Sequence, residues 1–189
     1  MSQRTAIKRH PERAVPDEAQ EILVKGFVAH VGFSHGEQPV VIPLVYQYDP
    51  AIPDKLYLHG SHASRALKQL ASGAPVCVAV TSIQGLVYSR SAQYHSMNYE
   101  SVICFGKARV IKDKGEKAHI FEQQISRYHP GRTAGEDYAA LTNQELMSSA
   151  LVEVHIEEMS AKARRGGPKG PRDDDPDAPG SSGVITFQS

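Results

Sequence analysis

The sequence has no tryptophan, two cysteines and no net charge. The 21 Lys and Arg residues cancel the 21 Asp and Glu residues. That balance argues against a protein built mainly to hold nucleic acid or an anionic membrane by bulk electrostatics, and leaves room only for a local anion site. Cys77 and Cys104 lie alone in apolar runs. They are too few for a disulfide framework and lack metal-ligand spacing, which points to a reducing compartment. No apolar run approaches the ~18 residues that a membrane span needs. The opening stretch MSQRTAIKRHPERAVPDE lacks the apolar segment of a secretory signal. A cytoplasmic protein without membrane or nucleic-acid partners is therefore expected. A chain of 189 residues suffices for one domain and a tail.

Residues 1–15 are polar and aperiodic and read as a flexible arm. Pro16, Asp17 and Glu18 open a short helix, with acidic groups where the helix dipole favours them, and Gly26 closes it. A β-rich block follows, in which Phe27–Phe33, Pro39–Tyr48 and Lys55–His59 carry the β-branched and aromatic content of strands. The segment SHASRALKQLASG changes the period. Ala63, Ala66, Leu67 and Leu70 recur at helical spacing, which predicts about three turns between an N-cap at Ser61 and a C-cap at Gly73. Pro75–Thr81 is a near-continuous apolar strand, central and covered on both faces. Leu86–Tyr94 and Ser101–Ile111 read as two further strands, and Lys114–Tyr128 and Asn143–Ser149 as helices. Leu151–Glu157 alternates cleanly and reads as a half-buried strand at a sheet edge. Residues 164–189 are rich in Pro, Gly and charge and read as a mobile tail. The domain is thus expected at residues 16–163. Six or seven strands with one helix inserted suggest a small closed or split β-barrel, since a doubly wound parallel sheet would need a helix between most strands.

Three constellations could carry chemistry. In LHGSHASR, Gly60 permits close backbone approach, Ser61 and Ser64 offer hydroxyls at a helix start, and Arg65 adds a forked cation. That is the composition of a phosphate pocket. An ordinary capped helix with an exposed Arg would show the same pattern. In YHSMNYESVICFG, polar and aromatic groups gather just before an apolar strand, either to meet a ligand or as a wet strand end. Nine histidines, including His30, His35, His59, His62 and His95, show no ligand spacing, so no metal site is expected. No dinucleotide fingerprint, Walker loop or nucleophile elbow is present.

HPER, VAHVGF, LYLHGSHASR, PVCVAVT, HSMNYESV, PGR and SAKAR occur in that order between His10 and Arg164. This series resembles the pyridoxamine 5′-phosphate oxidase-like, flavin-nucleotide-binding split-barrel family, in the branch that includes nitroimidazole-resistance proteins. The resemblance implies a mainly β, Greek-key-like split barrel that forms a homodimer with FMN between the protomers. It implies that His59, Gly60, Ser64 and Arg65 hold the flavin phosphate, with Ser61 beside them. Val41, Ile42, Pro43 and Leu44 would run along the isoalloxazine ring. Asn98, Tyr99, Ser101 and Val102 would approach the flavin from the other subunit, and Lys162 and Arg164 would reach the same groove.

The function implied is a flavin-dependent oxidoreductase with an unidentified small-molecule substrate and a transiently docked reduced nicotinamide. Tyr99 and His95 are the candidate acid–base groups. Two alternatives stay open: a non-catalytic flavin carrier or redox sensor, and a haem protein using His59 or His95 as axial ligand. The chain departs from the pattern at Ala66, where the oxidase has Lys, and at Glu100, where the branch has Arg. It departs again at Ser181–Val184 (SSGV), where the branch carries a Trp-containing WAGV. The vitamin-B6-binding residues are not recognisable, so pyridoxamine phosphate oxidation is not expected.

Overall fold

The computed structural model of the chain describes residues 2–187. A 3-10 turn at Pro16–Glu18 leads into α1 (Ala19–Lys25), followed by β1 (Val28–His35), β2 (Gln38–Tyr48) and β3 (Lys55–Ser61). Then come α2 (Arg65–Leu70), β4 (Pro75–Tyr88), β5 (Ser96–Val110), α3 (Lys114–Tyr128), α4 (Asn143–Ser148), β6 (Ser149–Arg164) and β7 (Gly183–Thr186). All strand pairs are antiparallel, in the order β1-β2-β3-β6-β5-β4, and β4 returns to β1, so six strands close a barrel. The jump from β3 across β6 and β5 to β4 gives it the Greek-key-like path.

The period of two along the strands builds the core. Ala29, Val31 and Phe33 of β1 and Val152, Val154 and Ile156 of β6 point inward, whereas His30 and His155 face outward. Two glycines set close approaches in the sheet. At Gly106, where the extra residue Glu157 bulges β6 against β5, a Cβ would lie 1.9 Å from the carbonyl oxygen of His155. At Gly85 the register of β4 shifts, and a Cβ would lie 2.5 Å from the carbonyl oxygen of Ile185, so the glycine admits β7.

Several expectations are corrected. β6 lies between β3 and β5 rather than at an edge, because both flanks of its 16 residues pair. β4 runs unbroken to Tyr88, and Ala92–Tyr94 is a 3-10 turn rather than the end of a separate strand. The outward face of β4 is half exposed at Cys77 and Ala79, so the strand is covered on one face. α2 has six residues and is capped by Ser64, whose Oγ accepts from the Leu67 N–H; Ser61 stays in β3, paired with Ser149.

Both terminal segments lie against the barrel. Arg4 pairs with Glu157 and Glu158 and stacks over Phe105, and Val15 donates its N–H to the Ala161 carbonyl. In the tail, Asp173 accepts from the Ser89 hydroxyl and the N–H groups of Arg90 and Gly170, and β7 pairs with the second half of β4. The composition hides these contacts because a few ion pairs and one short strand do the anchoring.

α3 is fastened across α1. The Arg127 guanidinium donates to the carbonyls of Tyr46, Leu23, Val24 and Gly26 and stacks on the rings of Tyr46 and Tyr128 at 4.5 and 5.0 Å. A cation there caps the C-terminal carbonyls of α1. No helix among the described residues is long and apolar enough to cross a membrane.

Candidate functional site

The barrel is split between β2 and β3. β2 pairs with β1 from Gln38 to Val45, but with β3 only over Tyr46–Tyr48. Beyond the Tyr46–Leu58 pair the strands diverge, because His59, Gly60 and Ser61 stay registered with Leu151, Ala150 and Ser149 of β6. One edge of Val41–Leu44 therefore faces the gap with its alternate amide groups unpaired. Val41 and Pro43 point outward, and Ile42 and Leu44 pack against the core.

The other lip carries the anion donors. Ser61 Oγ accepts from the Ala63 N–H at 3.1 Å and Ser64 Oγ from the Leu67 N–H at 3.4 Å, which leaves each hydroxyl hydrogen to donate elsewhere. The exposed guanidinium of Arg65 makes no ion pair among the described residues. At Gly60 a Cβ would sit 3.0 Å from Leu67, so the glycine lets α2 pack onto the end of β3 and brings Arg65 to the gap. Ala66 is only 8% exposed and faces the core. The missing Lys is thus explained by packing at a position that does not face the gap.

Val45 and His59 share a cavity of about 460 Å³ that α3 closes with Phe121, Gln124, Ile125 and Tyr128. The His59 and Phe121 rings meet edge-on, 5.2 Å apart. Burial pushes the His59 pKa down, against an opposing pull from the Gln124 side chain, and so favours neutral imidazole. The α3 residues were not anticipated as part of a site. Their i, i+4 spacing, Phe121–Ile125 and Gln124–Tyr128, marks a helix face, and nothing local says what that face covers.

The second group of candidates lies elsewhere on the barrel. β6 joins β3 to β5, but His59 and Ser61 pair with Leu151 and Ser149 near its start, whereas Tyr99 and Ser101 pair with Arg164 and Lys162 near its end, so the two groups lie apart within one chain. Tyr99 and Ser101 are half-buried on the outward face of β5, whereas Val102 is fully buried inside the barrel and its side chain reaches no surface. Asn98 Oδ1 accepts from Arg164 at 2.5 Å. Lys162 donates to the Arg9 carbonyl at 3.0 Å and so fastens the N-terminal segment.

Glu100 faces away from Tyr99 and Ser101. Its carboxylate is buried and accepts from Arg165, which also pairs with Glu18. The reversed charge at this position therefore ties the start of the tail to α1 and β5. The SSGV stretch leads into β7, where Gly183 lies against the Tyr88 ring; a Cβ there would meet the phenol oxygen at 2.5 Å. No group of three or more His, Cys, Asp or Glu side chains suited to a metal ion occurs among the described residues.

The family model described as pyridoxamine 5′-phosphate oxidase matches residues 16–163. The flavocytochrome Anf3 from Azotobacter vinelandii is 30% identical, with 100% of this chain and 86% of that one covered and a TM-score of 0.87. The FAD and heme binding protein from Mycobacterium smegmatis is 30% identical, with coverage of 93% and 84% and a TM-score of 0.82. A candidate 5-nitroimidazole antibiotic resistance protein from Bacteroides thetaiotaomicron shares the fold at 24% identity, with coverage of 79% and 86% and a TM-score of 0.64. No curated protein matches the chain by sequence. The chain belongs to the pyridoxamine 5′-phosphate oxidase-like family of split barrels.

Proposed function

We propose that the chain is a flavin-dependent oxidoreductase that works as a homodimer, with the flavin in the split between β2 and β3. The observation that carries this reading is the split itself: a free β-edge at Val41–Leu44 faces Ser61, Ser64 and Arg65 across one gap. Arg65 and the two hydroxyls would hold the phosphate, and the amides of the free edge would hold the polar rim of the ring. The bound flavin supplies the electron transfer, while the protein binds and orients it and keeps water from one face. A reduced nicotinamide would dock transiently, and the free thiols of Cys77 and Cys104 fit a reducing cytoplasm.

The separation of the two candidate groups along β6 supports the homodimer. Val28, Val41, Ile83 and Ile103 are 38–64% exposed on the outward sheet face that lies between them. Exposed apolar side chains of this kind fit an interface, and a two-fold axis through that face would bring Asn98, Tyr99 and Ser101 of the second subunit toward the flavin.

A second reading places haem beside the flavin. It is favoured by the cavity under α3, where His59 presents a neutral imidazole among aromatic and aliphatic walls. It is also favoured by the two 30% identical relatives, one a flavocytochrome and the other an FAD and heme binding protein.

The test is an absorption spectrum of the purified protein, identification of the released chromophore, titration with FMN and FAD, and light scattering for mass. Flavin bands and a dimer mass are expected, with reduction of added acceptors separating turnover from mere carriage. A Soret band abolished in His59→Ala, with flavin bands retained, would establish the haem reading. A colourless protein that ignores both flavins would overturn the proposal.

A further inference from the structure

A second cavity, of about 490 Å³, lies between α3, the end of β2 and the end of α1. α3 divides its surface between this cavity and the one beside His59. Phe121, Gln124, Ile125 and Tyr128 wall the first, and His119, Glu122, Gln123 and Ser126 wall the second. Each set has the i, i+3, i+4, i+7 spacing of one helix face, and the offset of two residues makes the faces distinct. None of Val41–Leu44, Ser61, Ser64 or Arg65 lines the second cavity.

Its wall holds an unanswered acceptor. Gln47 alternates with Tyr46 and Tyr48, whose side chains turn into the core, so its own side chain leaves β2 on the outward face, toward α3. The residue is only 5% exposed, and its Oε1 has no hydrogen-bond partner. A buried acceptor in that state is costly, and nearly all such groups in folded chains are paired with protein, water or ligand.

The neighbouring groups call for the same kind of partner. Asp49 accepts from the Ala51 N–H at 2.9 Å and from Gln123 at 3.5 Å, which leaves further lone pairs on its carboxylate. Neither Asp49 nor the exposed Glu122 forms an ion pair among the described residues. Arg127 is the cation on the wall, and its guanidinium is given to the carbonyls of Tyr46, Leu23, Val24 and Gly26. The two carboxylates and the His119 imidazole do not converge as a metal set does, since no three such side chains of the described residues suit one ion. What the cavity lacks is a positively charged donor longer than a bare ion. Val24 and Pro50 supply an apolar wall for a short methylene chain.

We propose that this cavity binds an aliphatic polyamine, with one ammonium group shared by Gln47 Oε1 and the Asp49 carboxylate and a second beside Glu122. An ammonium group carries three donors and no acceptor, which matches a wall whose open positions are acceptors. The volume lies within the roughly 300–1,000 Å³ range of small-molecule sites. The assignment is independent of the flavin reading, because the two sites share no lining residue.

The test is calorimetric titration of the full chain at fixed ionic strength with putrescine and spermidine, and with 1,4-butanediol as an uncharged control of similar length. Both amines are expected to bind at one site per chain, and the diol is not. Asp49→Asn keeps an Oδ1 acceptor for the Ala51 N–H and removes the charge, so it should weaken the amines by about 10- to 100-fold, the loss of one charge-assisted contact. Glu122→Gln should weaken spermidine and putrescine and leave n-butylamine, which has a single ammonium group, unchanged. Gln47→Leu separates a binding role from a packing defect. It removes the orphaned acceptor, so its melting temperature should rise while its affinity for the amines falls about tenfold.

Failure of the parent chain to bind either amine overturns the proposal, as does equal binding of the diol. Unchanged amine affinity in Gln47→Leu overturns it too, because the amines would then be held by surface charge alone. The thermal melt of each variant reports that it is folded.

Discussion

The ion pair between Arg165 and Glu100 can be tested as a structural replacement for the arginine that the related branch carries at position 100. The Glu100 carboxylate accepts from Arg165 Nε at 3.1 Å and Nη2 at 2.6 Å, and its side chain is 9% exposed. Breaking a buried pair by removing one partner costs roughly 3–5 kcal/mol, because the remaining charge has neither partner nor water. Arg165 is itself 46% exposed, so water replaces part of what is lost. Arg165→Gln should therefore destabilise the fold by about 1–3 kcal/mol, and in a chain of this size the melting temperature should fall by roughly 2–12 °C. Glu100→Gln removes the stranded charge, so the Arg165→Gln/Glu100→Gln pair should recover most of the loss, with a coupling energy of about 1–2 kcal/mol in a double-mutant cycle. Glu100→Arg should be the least stable variant, since it faces Arg165. Flavin titration of Glu100→Gln should match that of the parent chain. Additive effects within ~0.5 kcal/mol, or a Glu100→Arg protein as stable as the parent, would refute the reasoning.

Arg65→Ala should weaken FMN and FAD binding by about 10- to 100-fold, the loss of one charge-assisted contact, whereas Lys162→Ala should leave it unchanged because Lys162 holds the Arg9 carbonyl; equal retention by both variants removes the phosphate assignment. Cys104, whose thiol burial pushes up to about 12, should resist labelling by a thiol reagent in the native state at pH 8, and Cys77, raised to a lesser degree by partial burial, should react first. Burial pushes the Asp173 pKa up, but the N–H groups of Arg90 and Gly170 and the Ser89 hydroxyl hold it lower still. Its folded pKa is thus depressed, so its anchoring of the tail is complete above the ordinary carboxylate value of ~3.9 and lost as the pH falls through the folded value; limited proteolysis near Gly170–Gly180 should set in only in that acidic window.

The sequence by itself determined the elements whose periodicity is strong. α3 spans Lys114–Tyr128 as its pattern indicates, and β1, β2 and β6 show the alternation that places Val31, Tyr46 and Val154 in the core. A period of two or 3.6 is a local property, and burial of one face is enough to express it. The glycine and hydroxyl pattern of LHGSHASR likewise put Arg65 at a helix start beside a strand end. Val102 shows the limit of this kind of reading, because its neighbours in the motif face outward while the pleat turns its own side chain into the barrel.

Tertiary structure decided what lies opposite each element. Only the register of β3 with β6 opens the gap between β2 and β3. Only the packing of α3 makes a cavity beside His59. Glu100 reads as a reversed charge in a binding motif until Arg165, 65 residues away, is found bonded to it. The acidic cavity at Gln47 exists only because the end of α1, the end of β2 and α3 converge. Contacts of that range depend on barrel closure and on which partner is within a few ångströms, and neither quantity is encoded in the spacing of residues along a single strand or helix.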